Sequence, residues 1–134
     1  MKNLTSFILE ADTDATTPDE YFGTIMQSVV EVWKAHFMTS EYTAHMALDE
    51  YYKEMPEKAD EAIEAFMSVN GKFKAFKSNI LLDDFESVVE YLNKLHEFVY
   101  AGYEQFTDES EIQSALDNVL EQIDSTLYKL KELK

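Results

Sequence analysis

The sequence predicts an all-α protein, a four-helix bundle, on three observations. Only three glycines and two prolines interrupt 134 residues, far fewer than a turn-rich β fold uses. Apolar residues recur at three- and four-residue spacing in four long stretches. Short links join these stretches, with one longer passage after the second, which is the connectivity of a bundle. A chain of this length forms one domain that buries a core without disulfide or metal staples.

The first helix opens at Thr17-Pro18-Asp19-Glu20. Thr17 can cap, Pro18 suits the first turn, and Glu20 completes a capping box. Phe22, Ile25, Met26, Val29, Trp33 and the His36/Phe37 pair continue the helical spacing to an end near Thr39. The second helix runs from about Ser40 to Val69 and stops at Asn70-Gly71. Pro56 lies inside it and predicts a kink or brief break between Glu54 and Glu57. The basic, aromatic stretch KFKAFKS (Lys72 to Ser78) is read as a crossing over the outside of the bundle that covers apolar surface with Phe73 and Phe76.

A third helix is expected over Asp83 to Phe106, with Phe85, Val88, Leu92, Leu95, His96, Val99 and Tyr103 on one side. Asp108 and Glu111 form a second capping box, and the fourth helix runs from there to the C-terminus through Ile112, Leu116, Val119, Ile123, Leu127 and Leu130. Residues 17–134 are thus the bundle domain. Residues 1–16 are read as a flexible arm that docks Leu4, Phe7 and Ile8 on a neighbour. They are too acidic for a secretory signal.

Composition removes several functions. With no cysteine, disulfides, thiolate nucleophiles, zinc–thiolate sites and iron–sulfur clusters are excluded. The net charge is −16, from 27 acids against 11 lysines and no arginine, so the main body does not bind nucleic acid through phosphates. No apolar run approaches the ~20 residues that cross a bilayer. Neither a glycine-rich phosphate loop nor a Ser-His-Asp arrangement is present. Lys129, Lys131 and Lys134 are explained by the dipole at a helix C-terminus. His96 is expected to pack in the core with its ring satisfied, and Met46, Met55 and Met67 to be packing residues. Glu54, Glu57 and Glu61 are read as a solvated face.

The second helix carries the most informative pattern. With His45 placed at zero, Asp49, Asp60 and Glu64 fall at about 40°, 60° and 100° around the axis, on one flank. Leu48, Met55, Ala59 and Phe66 fall at about 280–320° and mark the core side. Imidazole nitrogen with carboxylate oxygen suits Fe, Mn or Zn. Asp49 and Asp60 are, however, roughly 16 Å apart along the axis, and a metal needs its ligands within about 2–2.5 Å. A single site therefore requires two antiparallel copies of this helix, with His45/Asp49 of one facing Asp60/Glu64 of the other. Met46, Ile63 and Met67 on the same flank supply an apolar dimer interface, and the symmetry yields two equal sites.

The pattern His45-x3-Asp49-x10-Asp60-x3-Glu64, with His36 on the preceding helix, resembles the Dps group of mini-ferritins. Trp33 fits an aromatic lining beside such a site. The His36–His45 spacing is shorter than in typical Dps chains, so the connection differs. The stretch from His36 to Tyr52 and the final helix from Ile112 to Leu133 are also similar to a ferritin-like family of tailed bacteriophages.

These resemblances imply a ferritin-like (Dps-like) bundle encoded by a phage and acting in the cytoplasm of a bacterial host, or associated with the virion. They also imply a transition-metal site, possible for Fe with Mn or Zn also admitted, built from His36, His45 and Asp49 of one chain with Asp60 and Glu64 of another. That arrangement requires a homo-oligomer, at least a dimer, and allows ferroxidase-like activity. The competing expectation is a non-enzymatic structural or host-interaction scaffold of the same fold, with a host or virion protein as partner. A third uses the −16 charge to occupy a basic surface on a host nucleic-acid-binding protein.

Overall fold

A computed structural model describes residues 16–133. Four α-helices, and no strand, occur among them: α1 (Pro18–Met38), α2 (Tyr42–Asn70), α3 (Val88–Tyr103) and α4 (Ser110–Glu132). The N-terminal arm expected to dock Leu4, Phe7 and Ile8 lies outside the described residues, except for its last position, as does Lys134. No helix among the described residues is long and apolar enough to cross a membrane.

Each helix touches two neighbours in the ring α1–α2–α4–α3. α1 and α2 are antiparallel across three residues, Thr39 to Glu41. Residues 71–87 then travel the length of the bundle, so α3 starts beside the α1–α2 turn and ends beside the start of α1, where the Tyr21 hydroxyl donates to the Val99 carbonyl. α4 returns antiparallel to α3. The core runs along the common axis through Phe22, Ile25, Leu48, Met55, Leu92, Leu95, Leu116 and Ile123.

Local chemistry sets the ends. Thr17 Oγ1 accepts from the Glu20 N–H at 3.2 Å beneath Pro18, while the Glu20 carboxylate accepts from Asn79 of the crossing. α2 ends on Gly71 at φ 85°, a left-handed conformation that glycine adopts without a Cβ penalty. The crossing lies against Gly23: a Cβ there would stand 2.1 Å from the Lys77 carbonyl oxygen, and the Lys77 N–H donates to the Asp19 carbonyl. Phe73 packs on Phe22 and Phe66 from this crossing. Phe76 stacks on Phe73 but stays exposed.

Several expectations are corrected. The brief break expected at Pro56 does not occur: α2 runs on through it, and the proline ring is exposed. The third helix begins at Val88 rather than Asp83. Leu82–Asp84 forms a 3₁₀ turn, Phe85 packs from the loop, and Ser87 caps by accepting from the Glu90 N–H at 3.2 Å. It ends at Tyr103, with a further 3₁₀ turn to Phe106. The Asp108/Glu111 capping box does not form: α4 starts at Ser110 after Glu109, with no side-chain cap. His96 is partly exposed and pairs with Asp124 of α4 at 3.1 Å rather than sitting in the core. Met46 is exposed, whereas Met55 is fully buried.

Candidate metal centre

The turn between α1 and α2 brings His36 and His45 face to face. Their ring centroids are 3.8 Å apart with planes inclined by 29°. The Nδ1–H of His36 donates to the main-chain carbonyl of His45, and the Nδ1–H of His45 donates to that of His36, each at 3.1 Å. A carbonyl can only accept, so both Nδ1 atoms carry hydrogen, and the neutral tautomer compatible with these bonds has its lone pair on Nε2. Metal-binding histidines are held in this way. His36 is 6% exposed, packed edge-on against Phe37 and Tyr52, while Tyr52 stacks on Trp33 with ring centroids 5.5 Å apart.

Asp49 lies one turn beyond His45, with both oxygens engaged. Oδ1 accepts from the Tyr52 hydroxyl at 2.8 Å and Oδ2 from Lys53 at 3.0 Å. These two partners, Lys53 foremost, hold its carboxyl below the usual carboxylate range. The arrangement places the aspartate one turn from His45 with one bond already accepted by each oxygen. Among the described residues, no three His, Asp or Glu side chains converge closely enough to hold an ion within one chain.

Asp60 and Glu64 form the second cluster, exposed on the same flank of α2. The Asp60 carboxyl lies within hydrogen-bond reach of Glu64 and raises the Glu64 pKa, with smaller contributions from desolvation and Glu61. Two carboxyls pressed together in this way repel once both ionise, and a cation relieves that repulsion. The structure therefore brings His36 to His45 and Asp60 to Glu64, but does not join the two pairs within one chain.

A third polar group lies inside the bundle. The carboxylate of Glu31, 1% exposed, accepts from Gln27 at 2.7 Å, from the Leu82 N–H at 2.9 Å and from Lys34 at 3.0 Å. Burial alone would raise its pKa, but the three donors outweigh that and lower it. Ser28 hydrogen-bonds the Tyr51 hydroxyl at 2.8 Å. Burial raises the pKa of Tyr91, and Tyr51 and Glu31 add to the effect. Sequence reasoning passed over Glu31, although Thr24, Ser28 and Glu31 trace a polar seam at helical spacing through an otherwise apolar helix.

Fold and site define a class: an all-helical bundle whose first turn holds a tautomer-fixed histidine pair beside an acidic helix flank. The chain belongs to the family of unknown function DUF5856, whose model matches residues 36–130, from the first of these histidines to the last turns of α4. No curated protein and no solved structure matches it.

Proposed function

We propose that the protein is a phage-encoded, ferritin-like, metal-binding protein of the host cytoplasm, in which two copies pair through the α1–α2 layer. In this reading His36 and His45 of one chain meet Asp60 and Glu64 of the other. The observation that carries it is the histidine pair: both Nδ1 atoms are committed to main-chain carbonyls, which leaves both Nε2 atoms for a ligand. The single long crossover supports the ferritin-like assignment, because ferritin-like bundles use one.

The residues divide the work. His36 and His45 present neutral nitrogen donors held rigid by their stack and their carbonyls. Asp60 and Glu64 bring negative charge that is unfavourable until a cation neutralises it. Asp49 is held by Tyr52 and Lys53, bonds that fix its carboxylate as a ligand and orient Tyr52 beside His36. Trp33 and Tyr52 shield the pair from water on one side. Iron bound there would supply Fe(II) oxidation, the chemistry that open coordination positions permit.

Anaerobic Fe(II) titration followed by oxygen or peroxide tests this reading. A ferric absorbance change, lost in His45→Ala combined with Asp60→Ala, is expected. No change in the unsubstituted protein rules out the oxidase activity, and elemental analysis then separates a Zn or Mn site from none. Asp49 favours a second reading, a metal-free oligomeric scaffold for a host or virion protein, because each of its oxygens already accepts a bond, one of them from the Lys53 ammonium. A purified dimer that holds no metal and is indifferent to chelator supports the scaffold.

A further inference from the structure

A pocket of about 430 Å³ opens at the end of the bundle where α1 stops, α2 starts and residues 82–88 lead into α3. Its floor is apolar and buried, formed by Ala35, Leu48, Leu82 and Leu130, and Phe85 and Val88 form a partly buried wall. Among the described residues every ionisable group lining it is an acid: Glu41, Asp83 and Glu86, all exposed. Ligand sites combine these features, with volumes of about 300–1,000 Å³, an apolar body and a few polar groups that set orientation.

The wall is anchored. The Leu82 N–H donates to the buried Glu31 carboxylate at 2.9 Å, the Phe85 N–H donates to the Leu82 carbonyl at 3.0 Å, and the Asp84 N–H donates to that of Leu81 at 3.1 Å. The Lys34 ammonium is bound to Glu31 at 3.0 Å and also lies within the influence of Asp83, so it offsets part of the Asp83 charge; no ion pair among the described residues engages Glu41 or Glu86.

We propose that this pocket binds a small organic ammonium, with its aromatic or alkyl body on the Leu48–Leu82–Leu130 floor and its charged nitrogen among Glu41, Asp83 and Glu86. Charge complementarity selects the cation. An anion of the same shape meets three carboxylates, and the −16 net charge raises the local concentration of cations while depleting anions. Neither His36 nor His45 lines the pocket, so the proposal does not require a metal.

The test uses the full-length protein titrated with phenylethylamine, phenylethanol and phenylpropionate, which share an apolar body and differ in charge, followed by amide NMR shifts. The expected result is saturable shifts over 82–88, Ala44 and Leu130, with affinity falling from amine to alcohol to carboxylate. Amine and carboxylate should differ by about tenfold at low ionic strength, and less in salt, because exposed charges are screened. Asp83→Asn with Glu86→Gln, both surface changes, should bring the amine down to the level of the alcohol. Ala44→Phe, which fills the pocket, should abolish binding of all three. Equal affinity for amine and carboxylate, shifts elsewhere on the protein, or amine affinity unchanged by Asp83→Asn with Glu86→Gln would overturn the proposal.

Discussion

α1 and α4 are both packed on one side and open on the other, yet their open sides differ. Along α4 the exposed positions are polar or charged apart from Tyr128 and include Glu111, Asp117, Glu121 and Asp124, as expected of a helix facing water. Along α1 the exposed positions are Met26, Val30, Trp33, Phe37 and Met38, all apolar. In a chain with 27 acids that absence is informative. Trp33 is 47% and Phe37 73% exposed, and they repeat the spacing of Met26 and Val30 along one stripe. Contiguous apolar surface of this kind marks an interaction face. It is also a face on which two strongly acidic chains can meet without opposing charges. The sequence predicts an interface on α2 through Met46, Ile63 and Met67; among the described residues α1 exposes five large apolar side chains, more than any other helix, and Met46 on α2 is exposed as well.

The largest expected effect follows from breaking this difference. Trp33→Glu with Phe37→Glu should raise the dissociation constant of the proposed pair at least ~100-fold, because central aromatic residues carry most of an interface's binding energy. Light-scattering mass across a dilution series checks it. Ser114→Glu with Asn118→Glu on the open side of α4 should leave the mass unchanged.

Inside the bundle, α1 also carries the buried carboxylate that α4 lacks. Glu31→Ala removes the acceptor of the buried Leu82 N–H and should destabilise the fold by about 2–3 kcal/mol, read from denaturant midpoints. The same group sets an acid dependence. Its pKa is lowered in the folded chain, so its stabilisation is complete above the unfolded carboxylate value of about 4.3 and is lost as pH falls through the lower folded value. The acid limb of the stability profile should therefore flatten in Glu31→Gln. Glu64 acts in the opposite sense: its raised pKa means that stability declines as pH rises through the folded value.

A smaller effect, about 1–3 kcal/mol, is expected for Gly23→Ala. The new methyl collides with the Lys77 backbone and pushes the crossing off α1, which outweighs alanine's helical advantage. On the α4 side, Lys129→Ala removes an exposed ion pair with Glu50 at 2.7 Å and should cost less than about 1 kcal/mol.

Much of the fold was legible because it rests on local chemistry. Thr17-Pro18 starts α1, Asn70-Gly71 ends α2, and the residues assigned to the core side of α2 are all buried. The start of α3 was not legible, since Phe85 continues the apolar spacing although it packs from a loop, and the working cap is Ser87 with Glu90. Glu31 was missed because its key partner lies 51 residues away in sequence. Of the candidate site, the spacing revealed which residues share a flank. It did not reveal that the α1–α2 turn stacks the two imidazoles and locks both Nδ1 atoms, or that Lys53 and Tyr52 occupy Asp49.

Sedimentation equilibrium of the full-length chain at micromolar concentration, read alongside Trp33→Glu with Phe37→Glu, measures most directly whether the apolar side of α1 is a contact between copies. The expected result is a mass of at least two chains that falls to one in the double variant. A single-chain mass for the unsubstituted protein, or an assembly unaffected by the two substitutions, would contradict pairing through α1 and remove the means by which His36 and His45 meet Asp60 and Glu64.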